Sequence, residues 1–106
     1  MTYLTLLIDQ QITKHQFNCL LGTANLEQLN GLCEFLYNAI SGRMNLDISV
    51  ERVIKRHTKL ITILTNRKHN SYRKRIQVIR KNIRIIGRIV KKLTPYMKKV
   101  IKKVEM

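Results

Sequence analysis

Residues 71–104 read SYRKRIQVIRKNIRIIGRIVKKLTPYMKKVIKKV, and the spacing of the apolar residues in this stretch predicts helix. The apolar residues recur at alternating steps of three and four, which places them on one helical face. They are Ile76, Ile79, Ile83, Ile86, Val90, Leu93, Met97, Val100 and Val104. Pro95 lacks the amide hydrogen that a helix interior requires, so we expect a kink or break near 93–94. The stretch therefore predicts a long amphipathic helix over about 72–93 and a shorter one over 96–104.

Three shorter helices are predicted before this stretch. Thr13 and Asn25 are each followed three residues later by Gln, which is the pattern of a capping box at a helix start. These starts predict helices over about 14–21 and 26–41. A third helix is predicted over about 50–65, where apolar residues again recur at helical spacing.

The predicted fold is all-α and forms a single small domain. Residues 1–70 are expected to form a compact bundle of three short helices, with a mildly acidic N-terminal half. Residues 71–106 are expected to follow as a basic amphipathic helical arm, kinked or broken near Pro95. The chain has 106 residues, so it is too short for a second sizeable core.

The charge of the chain is divided unequally between its two halves. The formal net charge is +15, from 21 Lys and Arg residues against 6 Asp and Glu residues. Residues 1–51 have a net charge of −3, whereas residues 52–106 have a net charge of +18 with Glu105 as their only acid. Charge of one sign repels itself, so we expect the compensating anions to come from a partner. Nucleic acid is the first candidate, because each neutralised phosphate releases a condensed counterion.

The residues expected to contact phosphates are the cations of the second half. They are Arg52, Lys55, Arg56, Lys59, Arg67, Lys68, Arg73, Lys74, Arg75, Arg80, Lys81, Arg84, Arg88, Lys91, Lys92, Lys98, Lys99, Lys102 and Lys103. Their opposite face, the seam from Ile76 to Met97, is expected to pack internally or against a partner. Few amide or aromatic side chains lie among the cations to read bases, so we expect binding without sequence specificity.

Other functions fit parts of the same pattern. A cationic face opposite an Ile/Val face is also typical of helices that lie on anionic membranes, so a membrane-active or capsid-anchored structural protein is the main alternative. A helix-turn-helix regulator is a minor alternative. Self-association through the seam from Ile76 to Met97 is a third alternative. A capsid protein, an anionic membrane and a second copy of the chain are therefore candidate partners beside nucleic acid.

The sequence contains no pattern that indicates an enzyme or a cofactor site. No Ser/His/Asp set, paired carboxylates or glycine-rich phosphate loop is discernible, so we expect no catalytic residues and no cofactor. His15, Cys19 and Cys33 lack a fourth partner, so we expect no metal site. The apolar N-terminal stretch is short and has no basic residue before it. We therefore expect no signal peptide, no membrane span, and a location inside a cell, a nucleus or a virion.

Three segments give the chain a resemblance to a known group of proteins. They are FNCLL at 17–21, LEQLNGLCEFLYNAISGRM at 26–44 and LTNRKHNSYRKRIQVI at 64–79. In this order they resemble the small basic virion proteins associated with adintoviruses, Maverick-like elements and densoviruses, which are similar to the adenovirus core protein X precursor. The resemblance covers about 12–79 and implies a DNA-condensing or genome-tethering virion protein. The matching basic segment comprises Arg67, Lys68, Ser71, Arg73, Lys74 and Arg75. The C-terminus departs from that group, whose chains tend to end in Gly and apolar residues, because here Ile and Val alternate with Lys.

Overall fold

The structure is a computed structural model that describes the backbone of residues 2–105 and the side chains of residues 3–102. This described part contains eight α-helices and no strand, which confirms the prediction of an all-α fold. The helices are α1 Thr2–Leu7, α2 Lys14–Gly22, α3 Leu26–Ile40, α4 Ile48–Arg56, α5 Thr58–Thr65, α6 Tyr72–Lys81, α7 Ile83–Lys92 and α8 Thr94–Glu105.

The predicted starts of α2 and α3 are confirmed by their caps. The Thr13 side chain accepts a hydrogen bond from the Gln16 amide at 3.0 Å, and the Gln16 side chain accepts one from the Thr13 amide at 2.8 Å. Asn25 and Gln28 form the same reciprocal pair at 2.8 and 3.0 Å. Each capping box satisfies two amides that the first helical turn leaves without partners.

The helices are shorter and more numerous than the predicted set. The helix expected over 50–65 is divided at His57 into α4 and α5, and the long helix expected over 72–93 is divided at Asn82 into α6 and α7. The Asn82 side-chain amide donates to the Val78 carbonyl at 2.9 Å. Such a local bond competes with the backbone ladder and favours a break. The predicted arrangement of three short helices and one long helix is therefore not what the described residues form.

Pro95 lies in the first turn of α8, one residue after the helix begins. Its missing amide hydrogen removes no helical bond there, because the first turn has no intrahelical acceptors for its amides. The preceding helix, α7, ends at Lys92, and Leu93 separates the two. A boundary near Pro95 is thus present, but both helices on either side of it pack into the body of the protein.

The core is shared by the N-terminal and C-terminal helices. α3 packs against α1, α4 and α5, while α2 packs against α6 and α7, and α8 packs against α1. The predicted seam from Ile76 to Met97 is buried in this core, with Ile83 half-buried at its edge. The described chain measures 33 × 28 × 24 Å along its principal axes. The basic helices α6, α7 and α8 therefore form walls of one core instead of a helix that extends from it.

Candidate functional site

The cations of the second half lie on the surface of this core. Of the residues predicted to contact phosphates, every described side chain except that of Arg75 is exposed. The side chain of Lys103 lies outside the described residues. The exposed set is distributed over α4 to α8 and over the segment between α5 and α6. Arg80 is held in place by a 2.8 Å hydrogen bond from its Nε to the Gly22 carbonyl at the end of α2.

These surface charges are almost entirely uncompensated by the protein itself. Among the described side chains, the one ion pair joins Lys55 to Glu51 at 2.8 Å within α4. Both members of the pair are well exposed, and a surface pair of this kind contributes little to stability. The remaining cations must be balanced by ions or ligands from outside the chain.

The α2/α7 groove is an open groove of about 760 Å³ between these two helices, and it concentrates positive charge. Five cations line it: Lys14 from α2, and Arg84, Arg88, Lys91 and Lys92 from α7. No carboxylate of the described residues is among its lining side chains. Positive charge on facing walls of a concave site strengthens the local field and raises the local concentration of anions.

The floor of the α2/α7 groove is apolar and tightly packed. Phe17 is 4% exposed, and a Cβ atom added to Gly87 would lie 3.3 Å from its Cε1 atom. The absence of a side chain at Gly87 thus allows α7 to approach α2 closely. The Lys91 ammonium lies 5.6 Å from the centre of the Phe17 ring, which is within the range of a cation–π interaction.

Lys14 is the one cation lining the α2/α7 groove that the sequence does not predict. It lies in the acidic half of the chain, 70 positions before Arg84, and no pattern connects the two residues. Its position follows from the Thr13 cap, which makes Lys14 the first residue of α2. A tertiary contact between α2 and α7 is needed to bring it to the groove.

Arg75 departs from the prediction that it contacts phosphate, because its side chain is only 3% exposed. Its Nη1 atom donates to the Asn30 side-chain oxygen at 3.3 Å and lies 3.9 Å from the Cys33 sulfur. Its Nε atom is buried and has no hydrogen-bond partner. Arg75 precedes Ile79 by four residues and so shares the buried face of α6. It belongs to the interior instead of the exposed basic surface.

Cys33 and Tyr3 are structural groups in the same interior. The Cys33 thiol donates to the Leu64 carbonyl at 3.0 Å, and the Tyr3 hydroxyl donates to the Leu20 carbonyl at 2.8 Å. Burial raises the pKa of the Cys33 thiol, and the positive charges of Arg75 and Arg67 partly offset that rise. Burial also raises the pKa of Tyr3 above its ordinary range, with a smaller contribution from Cys33. A buried thiol with a raised pKa is a poor nucleophile at neutral pH.

The described residues offer no cluster of metal ligands. The His15 Nε2 atom lies 3.6 Å from the Cys19 sulfur on α2, but no group of three His, Cys, Asp or Glu side chains comes together in the described part. None of the helices described by the structure combines the length and the apolar character that crossing a bilayer requires. The chain matches no protein-family model, no curated protein and no solved structure.

Proposed function

We propose that the chain binds nucleic acid without sequence specificity, through phosphate contacts made by the exposed cations of α4 to α8. The observation that supports this most directly is the charge of the surface. From residue 52 to residue 102 the sequence has no acid, and the described cations except Arg75 are exposed on a packed helical core. Phosphates that replace condensed counterions on such a surface gain favourable free energy from counterion release.

The composition of the basic surface supports backbone contact instead of base reading. Reading of bases other than guanine relies on amide or acidic side chains set against base edges, and stacking with bases relies on aromatic rings. Within the α2/α7 groove, Asn18 is the one amide side chain among the lining residues that the structure describes. The Phe17 ring beneath it is buried, so it presents little stacking surface. Affinity on this surface would depend on phosphates alone.

The packing of the C-terminal helices favours surface binding over membrane insertion. The apolar residues that an interfacial helix would place in lipid are here in the core, and Ile86, Val90 and Met97 are each at most 1% exposed. Insertion would require α7 and α8 to leave the core, which would expose to water the apolar faces of α1, α2 and α4 that now pack against them, at a cost of about 25 cal/mol for each Å². Phosphate binding requires no such rearrangement.

We further propose that the protein acts as a minor virion or core protein that condenses or tethers a DNA genome inside a capsid. This rests on the resemblance of residues 12–79 to small basic virion proteins, together with the small size and high positive charge of the chain. A capsid protein would then be a second partner. The cations would neutralise the phosphates of packed DNA, whose mutual repulsion opposes condensation.

The proposed function is tested by titrating fluorescently labelled random-sequence DNA with the protein across a salt series, with dye-loaded anionic liposomes in parallel. We expect affinity to be indifferent to sequence and to fall linearly with the logarithm of salt concentration, with little dye release. Weak DNA binding beside salt-resistant dye release would overturn the proposal, because apolar insertion does not depend on phosphate contacts.

A further inference from the structure

The α2/α7 groove has its cations in an ordered row. Arg84, Arg88 and Lys91 are four and three residues apart on α7, so they follow one face of that helix. The lining residues of α7 run from Ile83 to Lys92, a distance of about 14 Å at 1.5 Å per residue. Phosphates of one stacked strand recur at about 3.4 Å along its axis, so the row spans roughly four of them.

The two walls of the α2/α7 groove lie close together. Because Gly87 meets Phe17 at its floor, α2 and α7 are in direct contact, and packed helices have axes about 8–10 Å apart. A single strand can lie in the furrow above this contact and, because it is flexible, can follow the straight row of cations on α7. Each backbone of a duplex winds about the helix axis once in about 34 Å, and the duplex does not bend over distances this short, so it leaves a straight groove after a few phosphates.

The surroundings of the α2/α7 groove define how a strand would lie in it. Phosphates would meet Lys14 on one wall and the Arg84–Arg88–Lys91 row on the other, while sugars would face the apolar floor. An adjoining cleft shares Lys14, Phe17 and Lys91 but also contains Asp9. The carboxylate of Asp9 repels phosphate, so the strand would leave the groove on a path away from that cleft.

We propose that the α2/α7 groove binds a single sugar–phosphate strand, so that the protein prefers single-stranded to duplex nucleic acid. This inference rests on the proposed function and adds to it the form of the ligand and the place where it binds. The bases would point away from the floor, which agrees with binding that is indifferent to sequence.

The test compares two variants that lose the same charge at different places. The groove variant carries R84Q, R88Q and K91Q, and the control variant carries R52Q, R56Q and K59Q on the exposed surface of α4 and α5. Each is titrated against labelled oligothymidylate and against a random-sequence duplex of equal length at one salt concentration. Circular dichroism melts establish that both variants remain folded.

We expect the wild-type protein to bind oligothymidylate more tightly than duplex at equal salt, because a single strand can follow the whole row of groove cations; the expected factor is about ten, or about 1.4 kcal/mol. The groove variant should lose about tenfold or more on oligothymidylate and less on duplex, whereas the control variant should lose a smaller and equal factor on both. Equal losses by the two variants on oligothymidylate would overturn the groove proposal and leave the proposed function standing. Failure of the wild-type protein to bind either probe would overturn both.

A second measurement locates the strand directly. In amide NMR spectra of the wild-type protein, addition of oligothymidylate should shift the Gly87 amide and its neighbours on α7 most strongly, because Gly87 lines the α2/α7 groove. Shifts of equal size spread over α4, α5 and α8 would contradict a groove site.

Discussion

Arg75 is a charged residue that the fold has placed in its interior. It is 3% exposed, its Nε atom has no partner, and the neighbours of its Nη1 atom are the neutral side chains of Asn30 and Cys33. A buried cation without a carboxylate loses hydration that its hydrogen bonds only partly replace. We therefore expect Arg75→Met, which keeps an unbranched side chain as far as the position of Nε, to raise the free energy of unfolding by about 1 kcal/mol in urea denaturation.

The same variant distinguishes the buried Arg75 from the cations that are proposed to contact phosphate. Arg75→Met should leave the slope of log affinity against log salt unchanged. Arg88→Gln should make this slope shallower by the equivalent of about one phosphate contact. A fall in the free energy of unfolding of about 3 kcal/mol would mean that the Arg75 guanidinium is a net stabilising element. A shallower salt dependence for Arg75→Met would mean that Arg75 contacts phosphate despite its burial.

Burial of Cys33 should make the folding stability of the protein depend on pH under alkaline conditions. Its pKa is raised in the fold, mainly by burial, so the unfolded chain loses the thiol proton at lower pH than the folded chain. Stability from the neutral thiol is complete below the unfolded pKa of about 8.5 and is lost as pH rises toward the folded pKa, at up to about 1.4 kcal/mol per pH unit. Relative to Cys33→Ser, the wild-type protein should therefore lose stability as pH rises above the ordinary thiol pKa of about 8.5.

The measurement is urea denaturation of both proteins at a series of pH values. Lysine titration affects both proteins alike, so the difference between them isolates the thiol. Cys19→Ser, which removes the exposed thiol, is the matched control variant. Parallel profiles for the wild-type protein and Cys33→Ser would show that burial does not hold Cys33 neutral.

At the scale of helices, the contact between α2 and α7 can be tested with two glycines. An alanine Cβ at Gly31 of α3 would have no neighbour within 4 Å, whereas one at Gly87 would lie 3.3 Å from Phe17. Gly31→Ala should raise the free energy of unfolding by about 0.8 kcal/mol, because Ala favours helix more than Gly does. The free energy of unfolding of Gly87→Ala should be at least about 1 kcal/mol lower than that of Gly31→Ala, because the contact with Phe17 must loosen. Equal effects in thermal melts would contradict close packing of α7 on α2.

Helical periodicity and caps were sufficient to predict which parts of the chain are helical. The capping boxes at Thr13 and Asn25 set the starts of α2 and α3, and the three-four spacing identified the buried face of α6 and α7. The breaks at His57 and Asn82 were not predicted, because the apolar pattern continues through both positions. Each break lets the following helix pack against another part of the core. The position of a break therefore depends on tertiary packing, which the local sequence pattern does not contain. α1 was missed as well, since six residues are too few for a periodic pattern.

The candidate surface was predictable in composition but not in shape. The exposure of most cations follows from the cost of burying an unpaired charge. Arg75 is an exception: it lies four residues before Ile79 and so on the predicted apolar face of α6, and this signal was missed because a cation is usually exposed. The α2/α7 groove could not be predicted, because it joins Lys14 to residues more than sixty positions later through a contact between two helices.

For the molecule as a whole, the uncompensated charge should make folding stability depend on salt. The Debye length falls from about 30 Å at 0.01 M to about 3 Å at 1 M, so salt screens repulsion among cations that lack acidic partners. We expect the melting temperature to rise by several degrees over that range, equivalent to about 1 kcal/mol. The R52Q, R56Q, K59Q variant has three fewer positive charges. Its melting temperature should be higher than that of the wild-type protein at low salt and should change less as salt is added. A melting temperature that stays flat or falls in sodium chloride would contradict self-repulsion.

The salt dependence of binding to oligothymidylate tests most directly the claim that folded helices present phosphate-binding cations. Single strands give a slope of about −0.7 for each phosphate contact in a plot of log affinity against log salt. Five cations line the α2/α7 groove, so the wild-type protein should give a slope of about −3.5. A slope shallower than about −1, or no binding at low salt, would contradict phosphate binding as the function of this surface.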